Sequence, residues 1–143
     1  MKTAMLTDAE RQRLQEAFES VPFAHLIGIE TGEFERGAAT LHLAVRDALR
    51  QNRGVVHGGV TASLIDTASA FAILTLLEPA QSTTTVDLTI HYLRPIWEGR
   101  ITARARVLRA GRRLVTVTVD VSDEAGTLVA TALTSYLRLS AGS

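Results

Sequence analysis

Residues 60–74 read VTASLIDTASAFAIL and form the one long apolar segment of the chain. The segment is rich in Ala and Leu, is too long for an ordinary strand, and carries apolar or small side chains on every side. Such a composition is typical of a helix that is buried all round. Asp66 is the one charged side chain between Arg53 and Glu78. The sequence therefore predicts a buried helix over residues 59–78, with a single carboxylate in it.

Stretches of alternating apolar and polar residues predict strands on either side of this helix. Residues 27–35 and 38–45 form the first two strands, and residues 46–56 are a polar loop that leads into the helix. The four strands that follow the helix are predicted at residues 83–93, 100–108, 114–122 and 128–139.

The N-terminal region predicts one more helix. Thr7 and Glu10 have the spacing of a capping box, which opens a helix of about three turns. Pro22 and Gly28 then interrupt the helical pattern. We interpret residues 1–21 as a helical extension of the domain that follows.

The order of elements limits the fold. A single antiparallel sheet wrapped around the central helix is the simple way to cover both that helix and one face of six strands. This arrangement is the hotdog fold, of class α+β. The length of 143 residues suits one domain, residues 1–143, and leaves little room for a second.

Composition excludes several classes of protein. The chain has no cysteine, which excludes a disulfide framework, a thiol nucleophile and thiolate-bound zinc, and favours a reducing compartment. Charged residues interrupt the N-terminal region, and the apolar stretches are too short to span a bilayer. A net charge of zero gives no general attraction for nucleic acid. We expect a cytoplasmic protein with neither a membrane nor a nucleic acid as its partner.

Familiar catalytic motifs are absent from the sequence. His25, His42 and His91 lack the close spacing of metal ligands, so we expect no metal. The chain has no Gly-rich phosphate loop and no Gly-x-Ser-x-Gly elbow. P-loop chemistry and a serine hydrolase triad are therefore not supported.

The chemistry is expected where the polar loop meets the central helix. Gly58 and Gly59 allow close backbone approach, and their N–H groups are among the donors that a helix start leaves unpaired. Such donors can stabilise an oxyanion. Asp66 lies two turns further on, where an unpaired buried charge costs several kcal/mol. It is therefore either a catalytic carboxylate or the structural partner of an arginine.

These residues resemble a known family. The stretch 55–59 (VVHGG), followed by 63–68 (SLIDTA), resembles the signature of PaaI-type thioesterases, the phenylacetate-degradation branch of the hotdog superfamily. Residues 85–95 (TVDLTIHYLRP) resemble the strand that comes next in that family. The likeness extends over about residues 22–138. It implies hydrolysis of an acyl-CoA or aroyl-CoA thioester to the free acid and CoA, without a cofactor.

The resemblance also implies roles for the residues of the motif. Asp66 is expected to be the nucleophile or the general base that activates water. The Gly58 N–H is expected to polarise the thioester oxygen, with help from Gly59. His57 is expected to hold the loop or to contact the substrate.

Other positions are carried over from the same resemblance. Gln51 stands where the family usually has an Asn that binds the attacking water, and Asn52 is displaced from that position by one residue. Thr85 matches a Ser or Thr near the reaction centre of some relatives, although an ordinary strand residue is the alternative. Asn52 and Thr67 are further expected substrate contacts.

Three arginines lie close together in a predicted hairpin turn. Arg109, Arg112 and Arg113 flank the tip at residues 110–111. Because guanidinium groups bind phosphate in a bidentate manner, we expect them to hold the phosphates of CoA. A solvated hairpin tip is the alternative.

Two further functions remain open, a hotdog enoyl-CoA hydratase or dehydratase and a non-catalytic acyl-CoA-binding module. The chain is also expected to form a homodimer or a homotetramer, because the strand at residues 83–93 is a long sheet edge with an apolar face. The resemblance implies that Asp66 of one subunit then faces Gly58 and Gln51 of the partner subunit.

Overall fold

A computed structural model describes residues 5–140, in which three α-helices and a short 3₁₀ helix (Asp47–Leu49) pack with a six-stranded antiparallel sheet. The helices are α1 Asp8–Glu19, α2 Pro22–Ile27 and α3 Gly58–Leu74. The strands are β1 Ile29–Glu35, β2 Ala38–Ala44, β3 Ser82–Tyr92, β4 Arg100–Ala110, β5 Leu114–Ser122 and β6 Leu128–Leu139. The strand order in the sheet is β1-β2-β4-β5-β6-β3. The predicted hotdog fold, with a short N-terminal helix, is confirmed.

The core forms between α3 and the inner face of the sheet. Alternate residues of each strand point at the helix, as in β5, where Val115, Val117, Val119 and Val121 are at most 1% exposed. Leu64 and Ile65 of α3 are completely buried against them. The inward-facing side chains of the strands, which recur at every second residue, and the apolar side chains of α3 therefore pack into one core.

The burial of α3 differs from the prediction, because one side of the helix stays half-exposed. The half-exposed side chains recur at helical spacing and form a stripe, which comprises Val60, Ala62, Ser63, Asp66, Thr67, Ala70 and Leu74. The sheet curves around the other sides of the helix but does not reach this one. The helix was expected to be covered all round, but the rest of the chain leaves this stripe partly uncovered.

Two element boundaries also differ from the prediction. Pro22 and Gly28 do not simply end a helix: they bound a second one, α2, with Pro22 in its first turn and Gly28 at φ +86° as its left-handed cap. α3 ends at Leu74 instead of residue 78, because residues 75–78 continue as tighter turns. The predicted strand boundaries agree with the observed ones to within two residues.

The N-terminal helix is fastened to the far end of α3. The predicted capping box of Thr7 and Glu10 is present, with both reciprocal hydrogen bonds. Glu10 also pairs with Arg36 at 2.9 Å, and that guanidinium donates to the Thr75 carbonyl near the end of α3. The hydrogen bond from Arg36 and that from the Thr7 backbone lower the pKa of Glu10 from 4.5 to about 2. A buried Phe18 on α1 completes the attachment.

Strand β3 forms one edge of the sheet and pairs with β6 alone. A bulge between Thr85 and Asp87 leaves Val86 59% exposed. Near the end of the strand, Tyr92 is 54% exposed. β3 therefore presents an open edge with apolar side chains to solvent.

No helix within residues 5–140 is long and apolar enough to cross a membrane.

Candidate active site

The loop before α3 folds back on itself around Gln51. The Gln51 carbonyl accepts from the Gly54 N–H at 3.0 Å, and its side-chain Oε1 accepts from the Arg53 N–H. Gly54 adopts φ +94°, a conformation that favours glycine at this turn. The amide oxygen of Gln51 is thus used within the loop, while its side-chain NH₂ has no acceptor within residues 5–140. Asn52 is exposed on the outside of the turn.

His57 caps the N-terminus of α3. Its side-chain Nδ1 accepts a hydrogen bond from the Gly59 N–H at 2.8 Å, and the backbone N–H of His57 donates to Leu49 O at 2.9 Å. A ring nitrogen that accepts carries no proton, so the proton of the neutral ring is on Nε2, which is a donor. The Gly59 N–H is occupied by this cap. Gly58 N–H, in the first position of the helix, has no acceptor within the helix and is the donor that remains for an oxyanion.

Tyr92, at the end of β3, covers Gly58. The Tyr92 hydroxyl donates to the Gly58 carbonyl at 2.8 Å. A Cβ atom placed on Gly58 would lie 3.4 Å from the Tyr92 ring, in van der Waals contact, so a longer side chain directed at Tyr92 would meet the ring. Burial raises the pKa of Tyr92, so the phenol is protonated and donates. Tyr92 was not singled out from the sequence, because an aromatic residue in an alternating strand gives no sign of this contact.

Asp66 is the half-buried carboxylate of the α3 stripe, and two hydroxyl groups hold it. The Thr85 hydroxyl donates to Asp66 Oδ1 at 2.7 Å, and the Tyr136 hydroxyl reaches the same oxygen at 2.5 Å. Oδ2 accepts no hydrogen bond from residues 5–140. In the same part of the chain, Asp66 takes part in no ion pair, so the alternative of an arginine partner finds no support there.

The structure therefore gives Thr85 a contact that an ordinary strand residue would not have. Thr67, by contrast, donates its hydroxyl proton to the Ser63 carbonyl one turn back in α3, at 2.8 Å. Tyr136 was not singled out from the sequence, because an apolar alternation along β6 does not distinguish a buried tyrosine from any other core residue. Its phenol next to Asp66 is visible only in the folded chain.

The three arginines lie at the β4–β5 hairpin. Arg109, Arg112 and Arg113 are all exposed and belong to none of the four ion pairs formed within residues 5–140. The tip is held by a hydrogen bond from the Gly111 N–H to Leu114 O at 2.8 Å. A hydrogen-bonded turn thus presents three cations whose charges are not neutralised by neighbouring carboxylates within residues 5–140.

The outer face of the sheet carries a separate groove of about 470 Å³. Its lining includes two carboxylates and two guanidinium groups, those of Glu33, Asp120, Arg104 and Arg106. These side chains point away from α3, so the groove lies on the opposite side of the sheet from Asp66. Among residues 5–140 no group of three or more His, Cys, Asp or Glu could hold a metal ion. The absence of a cofactor stays a prediction.

Comparison with known proteins agrees with the fold and the motif. A model of the thioesterase superfamily matches residues 53–130. A candidate esterase of Saccharolobus solfataricus is 34% identical over 113 residues, which cover 79% of this chain and 75% of that protein. The medium/long-chain acyl-CoA thioesterase YigI of Escherichia coli is 27% identical over 82% of this chain and 85% of its own length.

Comparison with a solved structure of a related protein supports the same family. A variant of the phenylacetic acid degradation protein PaaI of Thermus thermophilus superposes with a TM-score of 0.76 at 31% identity, over 82% of this chain and 99% of that chain. The resemblance to the PaaI-type thioesterases is confirmed. The superfamily match covers the His57 loop, α3 and strands β3 to β5. Together these likenesses show that the chain belongs to the thioesterase superfamily and is a thioester hydrolase.

Proposed function

We propose that the protein hydrolyses an acyl-CoA thioester to the free acid and CoA, with Asp66 as the reacting carboxylate. The observation that carries the proposal is the burial and hydrogen bonding of Asp66. It is half-buried, has no cation beside it within residues 5–140, and is held through one oxygen while the other is left without a donor. The name of the related YigI protein, a medium/long-chain acyl-CoA thioesterase, supports CoA as the thiol.

The free oxygen of Asp66 has two possible uses in this reaction. As a nucleophile it attacks the thioester carbonyl, the CoA thiolate leaves, and water then hydrolyses the mixed anhydride to release the acid. As a general base it takes a proton from a water molecule, which attacks the carbonyl and expels the same thiolate. In both routes negative charge develops on the carbonyl oxygen, and the Gly58 N–H at the positive end of the α3 dipole would stabilise it.

The position of Gly58 supports a site shared between two subunits. Gly58 and Asp66 are eight residues apart in one helix, so they are about 12 Å apart along its axis. One carbonyl group cannot contact both, since each must approach it to about 3 Å. We therefore propose that Asp66 of one subunit acts with Gly58 and Gln51 of the partner subunit. The open edge of β3 and the half-exposed stripe of α3 offer the surfaces for such an assembly, a homodimer or a pair of dimers.

Replacement of Asp66 by Asn tests the catalytic assignment. Asn has nearly the same shape but can be neither nucleophile nor base, so kcat for thiol release should fall by about 10²- to 10⁴-fold. Asp87→Asn is the matched control, because Asp87 lies on the outer face of β3 and is exposed. The assay uses aryl, medium-chain and long-chain CoA thioesters and, separately, hydration of an enoyl-CoA. Substantial thiol release by Asp66→Asn, or hydration without hydrolysis by the unaltered protein, would contradict the proposal.

Mixing two inactive variants tests the shared site. Asp66→Asn and Gly58→Val are unfolded together and refolded, the valine being chosen because it would meet the Tyr92 ring. If each site uses both subunits, a mixed dimer has one intact site, and an equal mixture should recover about a quarter of the unaltered activity. Each variant refolded alone is the control. No recovery, with mixed dimers shown by mass spectrometry, would mean that each site is built within one chain.

A further inference from the structure

Tyr136 makes the closest contact to the proposed reacting group. Its side chain lies on the inner face of β6, is 1% exposed, and points at the middle of α3. The hydroxyl is 2.5 Å from Asp66 Oδ1 and 2.9 Å from the carbonyl oxygen of the same residue. One phenol therefore touches both the side chain and the main chain of Asp66, which fixes the orientation of the carboxylate relative to its own helix.

The phenol is the donor in this contact. Burial is the main reason that the pKa of Tyr136 lies far above its usual value of 10, and the hydrogen bond to Asp66 and the charge of that carboxylate raise it further. The proton therefore stays on the tyrosine, which excludes it as a proton-transfer group at neutral pH. A carboxylate can only accept, so the direction of the hydrogen bond is from Tyr136 to Asp66.

The surroundings of the phenol are themselves fixed. Ser69, one turn beyond Asp66 on α3, is completely buried, and hydrogen bonding with its hydroxyl offsets part of the rise in the pKa of Tyr136. Thr134, two residues before Tyr136 on β6, donates to Ser69 Oγ at 3.0 Å and is also completely buried. A chain of hydroxyl groups thus runs from the core to Asp66, and each member has its partner.

We propose that Tyr136 is a positioning residue for Asp66. Its buried phenol and the Thr85 hydroxyl together hold Oδ1 of Asp66, so that Oδ2 is presented to the thioester. This inference rests on the proposed function, in which Asp66 is the reacting group. Both hydroxyls bind the same oxygen, so the carboxylate cannot rotate to exchange its two oxygens without losing two hydrogen bonds. The free oxygen is thereby kept in one orientation, as efficient attack at a carbonyl requires.

Tyr136→Phe tests the proposal, because it removes the hydroxyl and keeps the ring that packs in the core. A hydrogen bond to a charged group is lost, and kcat should fall by about 10- to 150-fold. KM should change by less than about twofold, because the phenol is directed at Asp66 and lies beneath it in the core. Circular dichroism and the thermal midpoint show whether the variant is folded. A folded variant with kcat near that of the unaltered protein, or with only a raised KM, overturns the proposal.

The combination with Thr85→Val separates positioning from a general loss of stability. Two donors to one oxygen belong to one network. The loss of kcat in the double variant should therefore differ by at least about twofold from the product of the losses in the two single variants. Independent structural effects would multiply. Losses that multiply within error would overturn the joint hold on Oδ1.

A spectroscopic measurement covers the case in which Tyr136→Phe does not fold. The chain has two tyrosines, so protein labelled with ¹³C at the tyrosine ζ carbon gives two signals, which Tyr92→Phe assigns. The Tyr136 signal should shift in Asp66→Asn, because its acceptor changes from a charged to a neutral oxygen. An unmoved signal overturns the proposal.

The two proposals fail in different ways. If Asp66→Asn keeps its activity, the proposed function fails, and with it any positioning role. If Asp66→Asn is inactive while folded Tyr136→Phe keeps its kcat, only the positioning role fails.

Discussion

Thr85→Val is the substitution that most directly tests how the site works. Valine has nearly the shape of threonine and suits a strand, so the substitution removes one hydroxyl and little else. That hydroxyl donates to Asp66 Oδ1 at 2.7 Å. Hydrogen bonds to charged groups contribute about 1.5 to 3 kcal/mol. If this contribution is needed in the transition state, kcat for thiol release should fall by about 10- to 150-fold.

Two controls accompany this variant. Thr85→Ser keeps the hydroxyl and should retain most of the activity. Thr84→Val makes the same change at the adjacent position of β3, where the side chain is exposed, and should behave like the unaltered protein. The assay measures kcat and KM separately with one acyl-CoA, and the thermal midpoint of each variant. If Thr85→Val and Thr84→Val have the same kcat, the hydrogen bond to Asp66 has no part in turnover and the reasoning is refuted.

Three further predictions concern the substrate and the fold. Replacing both Arg112 and Arg113 by Ala should raise KM for an acyl-CoA more than for the corresponding pantetheine thioester, which lacks the nucleotide; equal changes would exclude a role in binding the CoA phosphates. Glu10, whose pKa is lowered to about 2 by its guanidinium and backbone partners, contributes stability that is present above pH 4.5 and is lost as the pH falls towards 2. Urea unfolding should therefore show Glu10→Gln to be less stable than the unaltered protein at pH 6, with a difference that shrinks towards pH 2, and a constant difference would contradict the linkage. Thr75→Val should cost about 1 to 3 kcal/mol of unfolding free energy, since Gly37 N–H loses its acceptor at 2.7 Å, and an unchanged urea midpoint would count against it.

The fold could be predicted from the sequence alone, and so could the location of the candidate site. An alternation with a period of two indicates strands with one buried face, and a long apolar segment around Asp66 indicates a largely buried helix, although one side of it stays half-exposed in the structure. Both patterns are local, so they can be read from neighbouring residues. The glycines after His57 and the lone carboxylate of Asp66 are local signals of the same kind, and they predict two parts of the candidate site.

The hydrogen bonds that hold these parts are visible in the folded chain and not in the sequence. Thr85 and Tyr136 are 19 and 70 residues away from Asp66 in the chain, and their hydroxyls meet its carboxylate because β3 and β6 are paired beside α3. Gly59 was expected to help at the oxyanion, yet its N–H donates to His57 Nδ1, a geometry that no spacing reveals. Hydrogen bonds depend on distances of a few tenths of an ångström between groups that the fold brings together, and the sequence pattern specifies which face a side chain occupies but not which atom it touches.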